Sequence, residues 1–571
     1  MYVKTTSRKI KDGAEVRYLH LAHNQWDPAK QRSTPTILYS FGREDALDRD
    51  AIKRLVASLS RLLDPADALA ATAGSGLVFL ESRPAGGVHV LDALWRRLNI
   101  DKIICGAGQN SRGRPRDNSA NERVLFGLVA SRALAPSSKL AAADWISNDV
   151  HIADLPATTD DACYRAMDWL YSICGEVEKE IYHQVADLLN LEVDLLFFDT
   201  TSTYFELPDE DGPVARDWRG EVAGSDDEID AGKTTGFRAH GKSKDSRDDL
   251  PQIVIGMAVT RDGIPVRCWC WPGNTGDSAL IRQVKADMRD WSLGRVVWVT
   301  DRGFSSKQNR RYLQRGAGHY IIAEKLRSDS ADIKTALSRQ GRYQTVAGNL
   351  QVKEVRIDDT DDRFVICYNP DAATRDAATR AGLITKLQEM IAGSDKLSVT
   401  KRAELRGKIS TMPGLNRFLR VTPGGLLRID KARIKTEANL DGKYLLRSSD
   451  PKLSAEDIAL GYKQLLQVER GWRDMKSVPG LRPVYHRLEE RIRAHVILCW
   501  LALLLIRIIE TTTGDTWPTV RRHLDRLHIG TFTGPAGTFR QRTELSKAQT
   551  GLLAKLGIPA PRQIIELEPA R

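Results

Sequence analysis

Apolar residues return every three or four positions over 91–98, 121–134 and 164–189, the spacing of amphipathic helices, and predict a helical region over 86–190. Ahead of it, residues 1–85 read as an α+β domain, with strand-like stretches at 1–5, 16–22 and 36–40 and a helical segment over 45–63. Frequent Pro, Gly and Ser keep these elements short. Beyond residue 191 the period changes. Apolar runs at 195–198 and 296–300 stop at Asp199 and Asp301, and two more, 253–259 and 266–271, flank Arg261-Asp262-Gly263, a hairpin signal. Helical patterns over 278–291 and 307–314 follow the third and fourth strands, and 320–323 makes a fifth. The fold expected of 191–328 is therefore α/β, a mixed five-stranded sheet with helices beside it.

Strand-like pieces at 343–347, 350–357, 364–368, 426–429 and 444–447 surround a helical stretch at 377–392, so 329–452 reads as an inserted, mostly β domain. Ser454 and Asp457 have the spacing of a helix cap, opening a helix expected to run to about Lys476. A strongly apolar helix over 488–511 completes a second, helical part of the core at 453–514, and 515–571 reads as a basic C-terminal tail. The longest apolar run, 496–506, falls short of the roughly 20 residues a membrane span needs, so no membrane is expected as a partner.

Hydrophobic residues make up 42% and charged residues 28% of the 571, which excludes global disorder and fibrous repeats. Seven Cys without a CxxC pair point to a reducing compartment, and the N-terminus lacks the apolar stretch of a signal peptide, so a cytoplasmic protein is expected. Lys and Arg outnumber Asp and Glu by 85 to 74, a formal net charge of +11. This surplus matters because it is clustered. Between Lys401 and Arg447 there are 12 Lys and Arg against four acids, the footprint of a phosphate-binding surface or of a solvated basic face.

Asp199 and Asp301 each stand where an apolar run stops, so each carboxylate is expected at the end of a buried strand, and two parallel neighbours would set them side by side. An Asp at such a position also serves as a turn-former or helix cap. Glu469, in YKQLLQVERGWRDMK, is the best third acid, because strand ends and one helix can converge on a point. Three carboxylates suit Mg²⁺ or Mn²⁺, hard cations that prefer oxygen ligands, and a pair of such ions supports in-line phosphoryl transfer.

These residues resemble the DDE transposases of bacterial insertion sequences, specifically the insertion sequence four family and its relatives. The second block of that family, Asp-x-Gly-Phe/Tyr, is matched by Asp301-Arg302-Gly303-Phe304. The third, Tyr-x2-Arg-x3-Glu-x6-Lys, is matched by Tyr462, Glu469 and Lys476, with Leu465 in the place of the Arg. The stretch HGKSKDSRDDLPQIVIGMAV is also similar to the larger members. The resemblance implies a ribonuclease-H-like core interrupted by an insertion, with Asp199, Asp301 and Glu469 as catalytic, metal-holding acids for two Mg²⁺ or Mn²⁺ ions. It further implies cleavage at element ends and strand transfer into target DNA by a cut-and-paste route, with a homodimer pairing the double-stranded terminal repeats beside the bacterial nucleoid. Tyr462 and Lys476 are expected at the DNA end. Arg302, Lys325 and Arg473 near the acids, Lys242, Lys244 and Arg247 in the loop after Gly241, and Arg417, Arg420, Arg428, Lys431, Arg433 and Lys435 in the insertion are further candidate DNA contacts.

Three competing signals are weighed against this. Gly236–Ser243, GFRAHGKS, matches a P-loop, but lacks an apolar strand before it and a helical pattern after it. Asp199-Thr200-Thr201 resembles the nucleophile segment of haloacid-dehalogenase phosphatases, with Thr201 where their general acid belongs. A DNA-binding repressor descended from a transposase is the reading without catalysis.

Overall fold

The computed structural model describes residues 1–9, 15–28, 31–60, 77–107, 117–188, 195–223, 234–289, 291, 296–358, 360–534 and 537–569. Its contacts divide the chain into two units. The smaller comprises Met1–Ser82, Gly530–Gln541 and Ile564–Arg571. It holds an antiparallel sheet of Tyr2–Lys9, Glu15–Asp27 and Arg32–Arg43, a helix at Arg49–Ser60, and the greater part of a four-stranded sheet in the order Ile564–Pro569, Gly537–Arg542, His528–Gly534, Val78–Pro84. Residues 61–63, the end of the expected helix, lie outside the described residues. The stretch read as a basic tail thus folds into two helices, Trp517–Leu524 and Lys547–Leu556, and three strands, and Phe532 stacks on Phe539 with ring centroids 5.2 Å apart.

The larger unit, Arg83–Ile529 with Arg542–Gln563, contains the sheet that positions the acids. Helices α1 (Ser119–Leu134) and α2 (Asp160–Leu188) precede it. Strands β1 (Leu195–Tyr204), β2 (Gln252–Val259) and β3 (Pro265–Pro272) form an antiparallel meander. The β2–β3 turn contains Gly263 at φ 76°, a left-handed position that favours glycine, as the Arg-Asp-Gly signal requires. Helix α3 (Asp277–Asp287) leads to β4 (Val297–Thr300), and the helix Lys307–Leu313 leads to β5 (His319–Glu324). Strands β1, β4 and β5 are parallel.

Successive residues of these strands enter two apolar layers, because side chains alternate across a sheet. Leu195, Phe197, Val297 and Val299 join one core with the helices described next; Leu196, Phe198 and Trp298 join the other with Leu280, Ile281 and Val284 of α3. Burial on both faces explains why the runs are solidly apolar rather than alternating.

The sheet does not end at five strands. Strands β6 (Gln344–Ala347), β7 (Leu350–Arg356), β8 (Arg363–Tyr368) and β9 (Lys443–Ser448) extend it to nine, in the order β6-β7-β8-β9-β5-β4-β1-β2-β3. β9 pairs antiparallel with both β5 and β8, which welds the inserted segment to the core. Nor is the insertion mostly β. Between β8 and β9 lie α4 (Pro370–Ile391), α5 (Val399–Ser410) and α6 (Lys431–Ala438), around a small core that includes Leu387, Ile409, Leu415 and Phe418. Their exposed faces are charged, so the apolar spacing that marks a helix in sequence is weak.

After β9 come α7 (Ala455–Lys463) and α8 (Leu466–Ser477), opened by a complete capping box between Ser454 and Asp457. The single helix expected here is broken at Gln464–Leu465, where the Leu465 N–H bonds the Tyr462 carbonyl at 3.0 Å and tightens the turn. Helix α9 (Glu489–Thr513) is apolar on nearly all sides and packs against α1, α2 and β3. Its length and composition would suit a membrane span, but its apolar window is wholly buried.

Candidate active site

Parallel pairing of β1 with β4 ends at the couple Phe198 and Thr300, so the next residue on each strand is an acid, Asp199 and Asp301. Strands so paired run about 4.8 Å apart, which sets the two acids next to each other. Asp301 closes its strand and opens the short turn Arg302–Phe304. Asp199 does not end a strand as expected. β1 continues to Tyr204, paired to β2 throughout, and Thr200, Thr201, Ser202 and Thr203 are buried. What stops at this level is the neighbour β4, and the overhang of β1 forms one wall of the site.

Burial pushes the Asp199 carboxyl up to about 6, and the charges of Asp301 and Asp277 add to the effect. Lys244 and a hydrogen bond from the Thr200 backbone oppose it. The Lys244 ammonium donates to the Thr200 carbonyl at 2.6 Å and its hydroxyl at 2.5 Å, and lies 3.3 Å from Asp277 Oδ2 and 4.0 Å from Asp199 Oδ1. The Thr200 hydroxyl donates to Asp277 Oδ1 at 2.8 Å, and Asp277 is the first residue of α3. Across the site, the Tyr462 hydroxyl of α7 donates to Asp301 Oδ1 at 3.4 Å. Burial and then the Asp301 charge hold that phenol protonated, with Glu469 contributing in the same direction.

Glu469 stands exposed on α8, which packs against β1 and β2. Among the described residues no three His, Cys, Asp or Glu side chains are grouped closely enough to hold a metal ion. Asp199 and Asp301 are an adjacent oxygen-donor pair of the kind a hard divalent cation takes, and Glu469 does not complete a group of three with them. Lys476 sits about two helical turns beyond Glu469, its Nζ 3.0 and 3.1 Å from the two carboxylate oxygens of Asp245. Burial lowers the Lys476 ammonium and the pairing with Asp245 resists the shift.

Of the other basic candidates, Arg302, Lys325, Arg473 and Lys242 are exposed, and Arg247 pairs with Asp249 at 2.8 Å while lying over the Tyr204 ring. In the insertion Arg420, Lys431, Arg433 and Lys435 are exposed, but Arg417 is tied to Glu437 at 3.1 Å and Arg428 to Asp395 at 2.8 Å. Arg447, part of the basic stretch by count, is buried beside Asp362 at 2.6 Å and serves the core. A cleft of about 480 Å³ runs from Asp301 and Tyr462 past Tyr444 to Arg327 and Arg417, joining Asp301, though neither Asp199 nor Glu469, to the insertion. Gly236–Ser243 forms no helix, and its neighbours hydrogen-bond to β1 and β2, so the P-loop reading falls.

Four contributors escape the sequence motifs: Tyr204, Asp245, Asp277 and Arg482. Asp277 carries the one usable signal, an acid opening a helix just after a buried strand. Leu465, in the place of the family's Arg, is 8% exposed and belongs to the apolar core beneath α7 and α8.

No curated protein matches the chain. A solved structure of the piggyBac transposase synaptic complex with hairpin DNA aligns over 76% of this chain and 77% of its own, at 11% identity and a TM-score of 0.35. Residues 229–505, a stretch that includes Lys244, Asp301 and Glu469 and begins beyond Asp199, match the family model of the transposase DDE domain.

Proposed function

We propose that this protein is a DNA transposase whose ribonuclease-H-like core cleaves DNA at the ends of an insertion sequence and joins the freed 3′-hydroxyl to target DNA. The observation that carries this reading is the side-by-side placement of Asp199 and Asp301 past the last parallel couple, Phe198 and Thr300. The meander β3-β2-β1 continued by parallel β4 and β5 is consistent with the ribonuclease-H-like assignment.

Asp199 and Asp301, with Glu469 brought in from α8, would hold two Mg²⁺ or Mn²⁺ ions, which when bound activate the attacking oxygen and stabilise the leaving one. The chain's own groups do the rest. Tyr462 orients the Asp301 carboxylate. Arg302, Lys325, Arg473 and Lys476 would supply positive charge for the phosphates on either side of the cut. Arg420, Lys431, Arg433 and Lys435 face solvent on the insertion and suit the flanking duplex. A homodimer assembled on DNA would pair the two ends, and the compartment would be the bacterial cytoplasm. No ATP is needed, since each transfer exchanges one phosphodiester for another.

The test is metal-dependent nicking of a supercoiled plasmid carrying the element's terminal repeats, parent against Asp199→Ala. Loss of nicking in the variant with DNA binding retained supports catalysis by the acids. A parent that binds the repeats but never nicks them would instead favour the repressor reading. Joining of cut 3′ ends to a second plasmid separates a transposase from a simple nuclease.

A further inference from the structure

Two consecutive residues of opposite charge, Lys244 and Asp245, are docked on two sites of opposite charge. The Lys244 ammonium lies against the acidic side, Asp199 and Asp277. The Asp245 carboxylate lies against the basic side, taking both Lys476 contacts at 3.0 and 3.1 Å and Arg482 at 3.2 Å. The loop is pinned between them by the Lys244 backbone N–H, which donates to the Ser202 hydroxyl at 2.9 Å. Arg482 is itself held over the face of Tyr204, 5.0 Å from its centroid, on the overhang of β1. Asp245 and its two partners, Lys476 and Arg482, are drawn from loops and a helix end rather than from the sheet.

A carboxylate and a phosphodiester present the same recognition face, two oxygens sharing one negative charge, and Lys plus Arg is a donor set that binds either. An ammonium about 4 Å from a buried carboxylate likewise supplies the charge that a bound cation would bring. We propose that Lys476 and Arg482 form a phosphate site for the DNA backbone, and that the Lys244–Asp245 pair is an internal placeholder. In the free protein Asp245 stands in for the phosphate and Lys244 for the cation beside Asp199. The inference rests on the transposase reading and adds Arg482 and the placeholder to it. Because the two stand-ins are adjacent in the chain, a phosphate that displaces Asp245 also loosens Lys244 from Asp199. DNA binding and cation binding then favour each other, a reciprocal coupling carried by one dipeptide.

The experiment measures binding of a fluorescein-labelled mixed-sequence duplex by anisotropy in EDTA over a series of salt concentrations, so that no metal or turnover enters. Asp245→Asn is expected to bind about 3- to 10-fold tighter, with a log–log salt slope steeper by about 1–2, as phosphate contacts are gained. Lys476→Ala with Arg482→Ala is expected to bind about tenfold weaker, and adding Asp245→Asn to that pair should restore nothing. In the parent, amide exchange across 243–245 should quicken when the duplex is added. Unchanged or weaker binding by Asp245→Asn would overturn the placeholder, making Asp245 an orienting partner of the two cations. A gain that persists without Lys476 and Arg482 would overturn the phosphate site, since it would reflect net charge alone. Slower exchange across 243–245 would count against release of the loop. If the parent nicks plasmid with metal while these outcomes fail, only this inference falls; if the parent neither binds nor nicks, the transposase reading falls with it.

Discussion

Asp199 and Asp301 are next-door neighbours on parallel strands, each one residue past the last couple of the ladder, and only one of them ends its strand. The asymmetry has an energetic cost. Asp199 is walled in by the overhang of β1, and its carboxyl is pushed up from 3.8 to about 6, by burial first.

An acid with a raised folded pKa binds its proton more tightly folded than unfolded, so ionising Asp199 costs stability as pH rises from about 4 to about 6, and the cost persists above. Asp199→Asn should therefore stabilise the metal-free protein at pH 8 by on the order of 1–3 kcal/mol. Thermal melts with and without millimolar Mg²⁺ check both halves of the expectation. Added Mg²⁺ should raise the parent's midpoint and leave the variant's in place; equal metal shifts in both would remove Asp199 from the metal site.

Leu465→Arg, which restores the family's residue, should not improve DNA binding. The side chain is 8% exposed and packed in the core, so a guanidinium there would be buried without a partner. A loss of at least about 2 kcal/mol is expected in urea unfolding. Tighter duplex binding at unchanged stability would show that the site tolerates the charge after all.

Between α1 and α9 lies a buried group of bases. The Lys139 ammonium is 3.4 Å from His495 Nδ1, and His495 Nε2 faces the Leu481 carbonyl at 3.1 Å. Burial, then the nearby Lys139 and Arg132 charges, lower His486 to about 3 and His495 well below 6.5. Bases depressed on folding are more protonated unfolded than folded, so stability falls as pH drops below about 6.5, by up to about 1.4 kcal/mol per pH unit for each imidazole. His486→Leu should flatten that slope between pH 6.5 and 5, read by urea unfolding at each pH. An unchanged slope would assign the acid sensitivity elsewhere.

Arg216 is 2% exposed in its side chain and makes a two-point contact with Glu489 at the start of α9, at 2.8 and 3.1 Å, while bonding the Thr235 and Gly220 carbonyls. It ties the excursion after β1 to the core helix. Arg216→Ala should cost about 3–5 kcal/mol, because several acceptors lose a buried partner at once. Arg216→Met, which keeps an unbranched apolar stem while losing the guanidinium over Phe237, should cost less. Equal losses by calorimetry would mean the charge contributes everything and the packing nothing.

Much of the local structure was legible. The Arg261-Asp262-Gly263 turn, the Ser454–Asp457 capping box and the short strands β6 to β9 follow from patterns only a few residues long. The five-strand boundary was not, because what extends the sheet is the pairing of β9 with β5, between segments more than a hundred positions apart. The polar run Thr200–Thr203 looks like a loop in sequence; its burial depends on β2 lying alongside. The break at Leu465 is equally silent, since the residues on either side all favour helix.

What the chain determined by itself was where carboxylates emerge from apolar strands and which segments pair with their neighbours, because periodicity, caps and turn residues act over short distances. Tertiary structure decided which charges meet. Lys476 reaches Asp245 across 231 positions, and Lys244 reaches Asp277 from a loop with no regular pattern. An ion pair depends on two side chains arriving within a few ångströms, and nothing in either one's own neighbourhood specifies the other.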